Sequence, residues 1–314
     1  MLAGGSRTFF DAFAGMGGMR LGMESAGFKC SGFCEIDGKA RETYKANFEN
    51  SGSEHEDIRS VKRLPHRTDV LCAGFPCTPF SPIGKRRGFA DTDSGRLFFE
   101  VARLMKSSRP KAVLLENVKA LVHHDGGAVL DAILGKMRGL GYLTSWRMFN
   151  AADFGLPQRR ERVFIVGFRS REFAGKFEFP EPPRIRNSIR SIIRESVGPE
   201  FDASRAMVVG YIAKLKQRGP GRGGRFLPAL HTPDEISRTL TANGTIMLLD
   251  ENRLRTMTPR ECARLQGFPD KFKLPPYKTQ AYKQIGNSVP VPVVTTIAQN
   301  ILRAMRRKQK KEKA

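Results

Sequence analysis

Residues 7–35 read RTFFDAFAGMGGMRLGMESAGFKCSGFCE, and this stretch decides the fold. The apolar burst from Arg7 to Phe13 predicts a strand, Met19 to Ala26 a helix stopped by Gly27, and Phe28 to Glu35 a second strand. Between the first strand and the helix stands Phe13-Ala14-Gly15-Met16-Gly17-Gly18, whose glycines let the backbone turn tightly and approach a ligand closely. No Lys-Ser/Thr follows it, which excludes a phosphate-gripping P-loop. Glu35 closes the second strand 35 − 15 = 20 residues after Gly15, where an acid in a nucleotide-binding βαβ unit accepts bonds from ribose hydroxyls. An adenosine-bearing cofactor is therefore expected.

The alternation continues outward. Gly38 to Phe48, Leu97 to Lys106 and Gly127 to Arg138 read as helices, and Asp69 to Ala73 and Lys111 to Glu116 as strands, with Tyr142 to Phe149 and Val163 to Phe168 as a closing pair. Such alternation implies an α/β fold with a mostly parallel sheet covered by helices. Residues 180 to 250 open on Pro180-Glu181-Pro182-Pro183 and contain Arg218-Gly219-Pro220-Gly221-Arg222-Gly223-Gly224-Arg225, too rich in Gly and Pro for regular helix or strand. This span is read as a second, small domain. Helical periodicity returns from Met257, and the chain ends in a charged tail.

Composition bounds the function. Against 31 Asp+Glu the 314-residue chain carries 54 Lys+Arg, a net +23, so a partner dense in negative charge is expected, nucleic acid ahead of an anionic membrane. A hydrophobic share of 40% with 27% charged residues excludes a disordered polybasic protein. No apolar run reaches the ~18 residues of a bilayer crossing, and the start lacks the pattern of a signal peptide, so a soluble, unexported, cytoplasmic protein is expected. The five cysteines form no Cys-x-x-Cys pair and the five histidines lack ligand spacing, so neither a disulfide framework nor a bound metal is expected.

The chemistry gathers at strand ends. In Asp69-Val70-Leu71-Cys72-Ala73-Gly74-Phe75-Pro76-Cys77-Thr78-Pro79-Phe80-Ser81, Cys72 belongs to the core, whereas Cys77 lies past the strand end, where sheets of this type place reactive groups. Glu116-Asn117-Val118 ends another strand, and Gln158-Arg159-Arg160-Glu161-Arg162 precedes the last one. Four strand ends of one sheet thus carry a Gly-rich turn, a thiol, a carboxylate and guanidinium groups in series.

With these motifs in this order, the sequence resembles the DNA cytosine-5 methyltransferases of bacterial restriction–modification type, over nearly its whole length. The likeness extends to Leu254-Arg255-Thr256-Met257-Thr258-Pro259-Arg260-Glu261-Cys262 and Gln284-Ile285-Gly286-Asn287-Ser288-Val289-Pro290; Thr78 departs from it, since many members carry Gln after the nucleophile. The resemblance implies a Rossmann-like S-adenosylmethionine-dependent methyltransferase fold, with a mixed, mostly parallel sheet and a small irregular target-recognition domain. Residues 1–178 and 255–314 would form the catalytic domain and 179–254 the recognition domain. Cys77 would attack carbon 6 of a flipped-out cytosine, Glu116 would engage ring nitrogen 3, Arg162 would hold the base carbonyl, and Arg160 would orient Glu116. Phe13, Gly15, Gly17 and Gly18 would pack around S-adenosylmethionine, Glu35 would bind its ribose, Ile36 would cover the adenine, Asp57 and Ile58 would meet the adenine edge, and Asn287 and Val289 would close the pocket. Arg218, Arg222, Arg225, Thr239 and Leu240 would serve DNA binding. Duplex DNA is the implied partner of a monomer, and a restriction endonuclease sharing the target is a companion that need not touch it.

Two rival chemistries fit less well. Amino-methyltransferases need Asp, Asn or Ser before Pro-Pro, where Leu274-Pro275-Pro276-Tyr277 offers a leucine. RNA cytosine-5 enzymes share the thiol chemistry, but one branch uses a second cysteine where this chain has Glu116-Asn117, and the other's Cys-Phe-Thr signature is missing.

Overall fold

The computed structural model describes residues 7–76, 93–194, 196–209, 230–242, 246–250 and 253–306. They fold as two compact units. The first comprises Met1–Phe149, Glu161–Glu181 and Val291–Ala314, and the second Asn150–Arg160 and Pro182–Pro290.

The first unit is built on a seven-stranded sheet. Its strands are β1 (Thr8–Ala12), β2 (Lys29–Cys34), β3 (Ser53–His55), β4 (Val70–Ala73), β5 (Ala112–Val118), β6 (Leu143–Asn150) and β7 (Glu161–Phe168), in the order β3-β2-β1-β4-β5-β7-β6. Strands β1 to β5 run parallel, and β7 lies antiparallel to β5, with Val118 opposite Arg162 and Glu116 opposite Phe164. A strand covered on both faces must be apolar on both. Accordingly every residue of Val-Leu-Cys-Ala in β4 is buried, and β5 stays buried through Asn117.

Helices α1 (Gly18–Ser25), α2 (Gly38–Asn47), α3 (Asp93–Ser108) and, after the four-residue α4 (Ala120–His123), α5 (Ala128–Gly139) follow the strands as the alternation predicts. On one face, Phe10, Leu71, Val113 and Leu115 pack in a core with Phe98, Val101 and Met105 of α3 and Ile133 and Met137 of α5. After α6 (Arg171–Lys176) the chain leaves this unit, and it returns with the C-terminal helix Val291–Ala304, which packs on α1. Strand β3 and the 3₁₀ turn Ile58–Ser60 were not expected, being too short for periodicity to register.

The second unit holds a three-stranded sheet of β8 (Leu230–His231), β9 (Met247–Asp250) and β10 (Arg253–Thr256), in the order β10-β9-β8. Two strands thus form in a span read as irregular; each has only two to four residues. Arg255, 1% exposed, is paired with Glu261 at 2.8 Å and Asp250 at 3.0 Å. Glu261 also completes a capping box with Thr258 that starts α7 (Pro259–Leu265). The compact units do not follow the division read from sequence. Residues 255–290, with α7 and α8 (Lys278–Asn287), belong to the second unit, as do 150–160. The bonds responsible are long-range in sequence: Gln158 Nε2 donates to Leu265 O at 3.0 Å, and Leu240 N–H to Gln158 Oε1 at 2.8 Å.

Candidate active site

The strand order of the first unit reverses between β1 and β4, and open α/β sheets bind ligands outside the carboxyl ends of the strands at such a point. On the β1 side the chain leaves the sheet through Phe13 (φ +59°), Gly15 (φ +55°) and Gly17 (φ +100°), three left-handed residues in one turn. A side chain at Gly17 would strike the Phe48 ring at 2.2 Å, whereas at Gly15 it would meet nothing within 4 Å. The turn is therefore packed against the protein at one glycine and open at the other.

Glu35 fixes that turn. Its Oε2 accepts the Gly15 N–H and its Oε1 the Asp37 N–H, both at 2.8 Å. Each oxygen keeps a lone pair for a further donor, as a ribose diol requires. Beside it Ile36 stands 69% exposed, and an apolar side chain displayed at a strand end suits a flat aromatic ring. The open Gly15, the half-used carboxylate and the exposed Ile36 together fit an adenosine. Asp57, next along the edge, caps the 3₁₀ turn, and the Arg59 guanidinium on its carboxylate holds it below the usual range. Ile58 is buried in the core, and its carbonyl accepts from Arg103 Nη2 at 3.0 Å.

On the β4 side the chain leaves Ala73 through Gly74-Phe75-Pro76; Cys77 and Thr78, which come next, lie outside the described residues. Asn117 Nδ2 donates to Phe75 O at 3.0 Å and ties this exit to the end of β5. Glu116 Oε2 lies against the same segment, 3.4 Å from where a Gly74 Cβ would stand. Across the β5–β7 pair, Arg162 Nε meets Glu116 Oε1 at 3.1 Å, with both side chains about nine-tenths buried. Burial pulls the Arg162 guanidinium below its ordinary value and Glu116 opposes the pull. A desolvated carboxylate, paired with a buried guanidinium, thus faces the segment that leads into Cys77.

The other thiols are silent. Burial pushes Cys30 up to about 11 and Cys34 to about 12, and lifts Cys72 and Cys262 above the ordinary thiol range. None of the four offers a thiolate at neutral pH.

Comparison with known proteins decides the lineage. Residues 7–303 match the family described as C-5 cytosine-specific DNA methylase. The chain belongs to that family. The type II methyltransferase M.DsaV of Dactylococcopsis salina is 40% identical over 301 residues, covering 94% of this chain and 85% of its own length. The type II methyltransferase M.HhaI of Haemophilus parahaemolyticus is 38% identical over 311 residues, 93% of either chain. Among solved structures, a DNMT2 variant of Spodoptera frugiperda matches with a TM-score of 0.77 at 18% identity, over 95% of this chain and 100% of that one. The Dnmt2 methyltransferase of S. pombe matches at 0.73 and 17%, over 95% and 98%. At those identities the structural likeness speaks to fold.

The protein is therefore a DNA (cytosine-5-)-methyltransferase, and its family implies DNA as substrate and S-adenosylmethionine as methyl donor. Among the described residues no group of His, Cys, Asp and Glu could hold a metal ion, and no helix is long and apolar enough to cross a membrane.

Other residues singled out in this methyltransferase fall in the second unit. Arg160 is 1% exposed, and its terminal nitrogens donate to Leu240 O at 2.8 Å, Gly286 O at 3.0 Å and Ser288 O at 2.5 Å. It fastens two distant backbone segments of its own unit, a role that sequence does not display. Thr239 donates its hydroxyl to Arg159 O, and Leu240 is buried, so the Thr-Leu pair is locked to the Gln158–Arg160 segment. Asn287 is exposed and Val289 buried. Arg218, Arg222 and Arg225 lie outside the described residues.

One residue escaped the sequence reading. Asp11 is 1% exposed, and burial lifts it to about 8 against the opposing pull of Arg20. The aspartate is plain in the motif, but its burial follows from neighbours far along the chain.

Proposed function

We propose that this enzyme, whose relatives are named type II methyltransferases, is the methylating member of a restriction–modification system, acting in the cytoplasm as a monomer on one specific duplex sequence. S-adenosylmethionine, when bound at the Gly15–Glu35 corner, supplies an electrophilic methyl group. Carbon 5 of cytosine is too poor a nucleophile to take it unaided. The Cys77 thiolate adds to carbon 6 of a cytosine flipped out of the duplex, forming the S–C6 bond and moving the electron pair of the C5=C6 double bond onto carbon 5. Glu116, a carboxylate in its pair with Arg162, takes up a proton as the base binds and shares it with ring nitrogen 3, which stabilises the charge that the addition develops. Arg162 keeps Glu116 in place and holds the base carbonyl. After carbon 5 has gained its methyl, loss of the carbon 5 proton re-forms the double bond and expels the thiolate. Arg160 serves as a positioning residue.

The observation that carries this reading is the Glu116–Arg162 pair beside the Gly74–Pro76 exit, one strand from the Glu35-held turn. The raised values of the other four cysteines leave Cys77 as the available thiol. Sequence reading is assigned to residues 179–254, with Arg218, Arg222 and Arg225 at phosphate or guanine edges, because the flipped base is common to every target. Incubating the enzyme and labelled cofactor with a duplex carrying 5-fluorocytosine at the target tests the chemistry. A covalent adduct at Cys77, absent from Cys77→Ala, is expected, since fluorine cannot leave as a proton. Methylation by Cys77→Ala at the wild-type rate would overturn it.

A further inference from the structure

The amino-terminal edge of the large sheet, opposite the edge with Glu35 and Glu116, is stitched into one row. Lys29 N–H donates to Arg7 O at 2.8 Å, Asp69 N–H to Thr8 O at 3.0 Å, Ala112 N–H to Asp69 O at 3.0 Å, and Arg169 N–H to Lys111 O at 3.1 Å. These bonds bring Lys29, Arg7, Lys111 and Arg169 side by side across β2, β1, β5 and β7. The turns entering β4 and β5 add Arg67, whose carbonyl accepts from Thr8 Oγ1 at 2.5 Å, and Arg109. Asp69 is the carboxylate in the row, and Arg7 (3.3 Å) and Lys111 (2.5 Å) share it, so positive charge remains in excess. Arg67, Arg109 and Arg169 have no ion pair among the described residues, and Lys29, Arg67, Arg109 and Lys111 are exposed. Arg109 and Arg169 converge on Tyr142, where both oppose the burial that raises its hydroxyl.

Two of these arginines sit in strained backbone. Arg67 has φ +69° and Arg109 φ +52°, the left-handed region in which glycine or asparagine is at ease. Their side chains are exposed, so core packing does not require them, and arginine where glycine or asparagine would sit at ease points to a role for the side chain. Net charge points the same way. Residues 180–250 hold 11 Lys/Arg and 7 Asp/Glu, so they supply 11 − 7 = +4 of the +23 and leave +19 elsewhere. Five adjacent strands spaced by about 4.8 Å make the row roughly 19 Å long. A duplex presents about eleven phosphate charges over that distance. Arg7 Nη2 also donates to Met305 O at 3.0 Å, so the C-terminal helix ends at this edge.

We propose that the amino-terminal edge is a second, sequence-independent duplex DNA surface, which grips one segment of DNA while the carboxyl edge works on another. Duplex DNA is the favoured polyanion because its local concentration is high once the first segment is bound. The inference rests on the proposed function in placing catalysis at the opposite edge.

The test uses enzyme trapped on an immobilised 5-fluorocytosine duplex and asks whether it captures a second, labelled duplex that lacks cytosine. Wild type should capture it, and the double variant Arg67→Asn/Arg109→Asn should capture it at least tenfold less. Asparagine tolerates both backbone conformations, so the variant should unfold at or above the wild-type temperature. For the free enzyme on the same cytosine-free duplex, the slope of log affinity against log salt should shrink by about 0.9 for each contact removed. Undiminished capture and slope in the variant, or no capture by wild type, would overturn the proposal. Equal or tighter capture of single-stranded RNA, or of phosphatidylserine vesicles, would overturn the assignment to duplex DNA. If no adduct forms, it is the thiol mechanism that fails, and the salt slope of the free enzyme still decides the edge.

Discussion

On the β1–β2 side of the switch point the features proposed to face the cofactor are mostly main chain: three left-handed residues, an N–H held by Glu35, and a glycine with open space beside it. On the β4–β5–β7 side they are side chains, a buried carboxylate and guanidinium 3.1 Å apart beside a backbone exit. The difference follows from the tasks. A cofactor is gripped by shape and by paired hydroxyl bonds, whereas a reacting base needs charge placed in a dry site. The two halves should therefore fail in different ways, the first losing affinity and the second losing rate.

The largest effect expected is on rate. Glu116→Gln keeps the shape but cannot deliver a proton to ring nitrogen 3, and general acid catalysis contributes about 10²–10⁴-fold. Single-turnover methylation should slow by that order while cofactor affinity stays within twofold, as rapid-quench and calorimetric measurements would show. Loss of affinity with the rate preserved would exchange the roles of the halves.

Arg162→Ala breaks the same pair from its other side and leaves Glu116 buried without its 3.1 Å partner. Removing one member of a buried pair costs about 3–5 kcal/mol. Urea unfolding should report a loss of this order, and a change under 1 kcal/mol would mean that water reaches the pair. In the cofactor half, Gly17→Ala forces a side chain into Phe48 at φ +100° and should destabilise by about 1–3 kcal/mol. Its effect on rate at saturating cofactor should be small.

The alternation of strands and helices was legible because each element has its own periodicity, and the corner where Glu35 accepts the Gly15 N–H was legible because both residues stand at or just past predicted strand ends. The second unit was less so. Arg160 reaches carbonyls 80, 126 and 128 residues away, and β8 and β9 pair through segments of two and four residues, too short to show a period. Periodicity from Met257 announced the helical region that holds α7, yet neither its Thr258–Glu261 capping box nor the buried Arg255 that grips the same glutamate was read.

Asp11 gives a pH-dependent prediction confined to the cofactor half. Around it stand Arg20 and Glu24 of α1, Glu35 at the end of β2, and Cys30, Tyr44 and Cys72. Its folded value of about 8 exceeds the unfolded one, so the folded state holds the proton more tightly. The stability this brings is fully present below pH ~4 and is lost as pH rises toward 8. Asp11→Asn cannot ionise, so its melting temperature relative to wild type should increase from pH 5 to pH 9. A difference independent of pH would show that Asp11 is already ionised in the folded protein.

The division of labour is tested most directly by calorimetric titration of S-adenosylmethionine into Glu35→Ala, paired with the single-turnover rate of that variant at saturating cofactor. Charged hydrogen bonds of the kind Glu35 offers are worth about 1.5–3 kcal/mol each. The dissociation constant should rise at least tenfold while the saturated rate stays within a few-fold of wild type. An unchanged dissociation constant, or a rate that collapses at full saturation, would contradict the account.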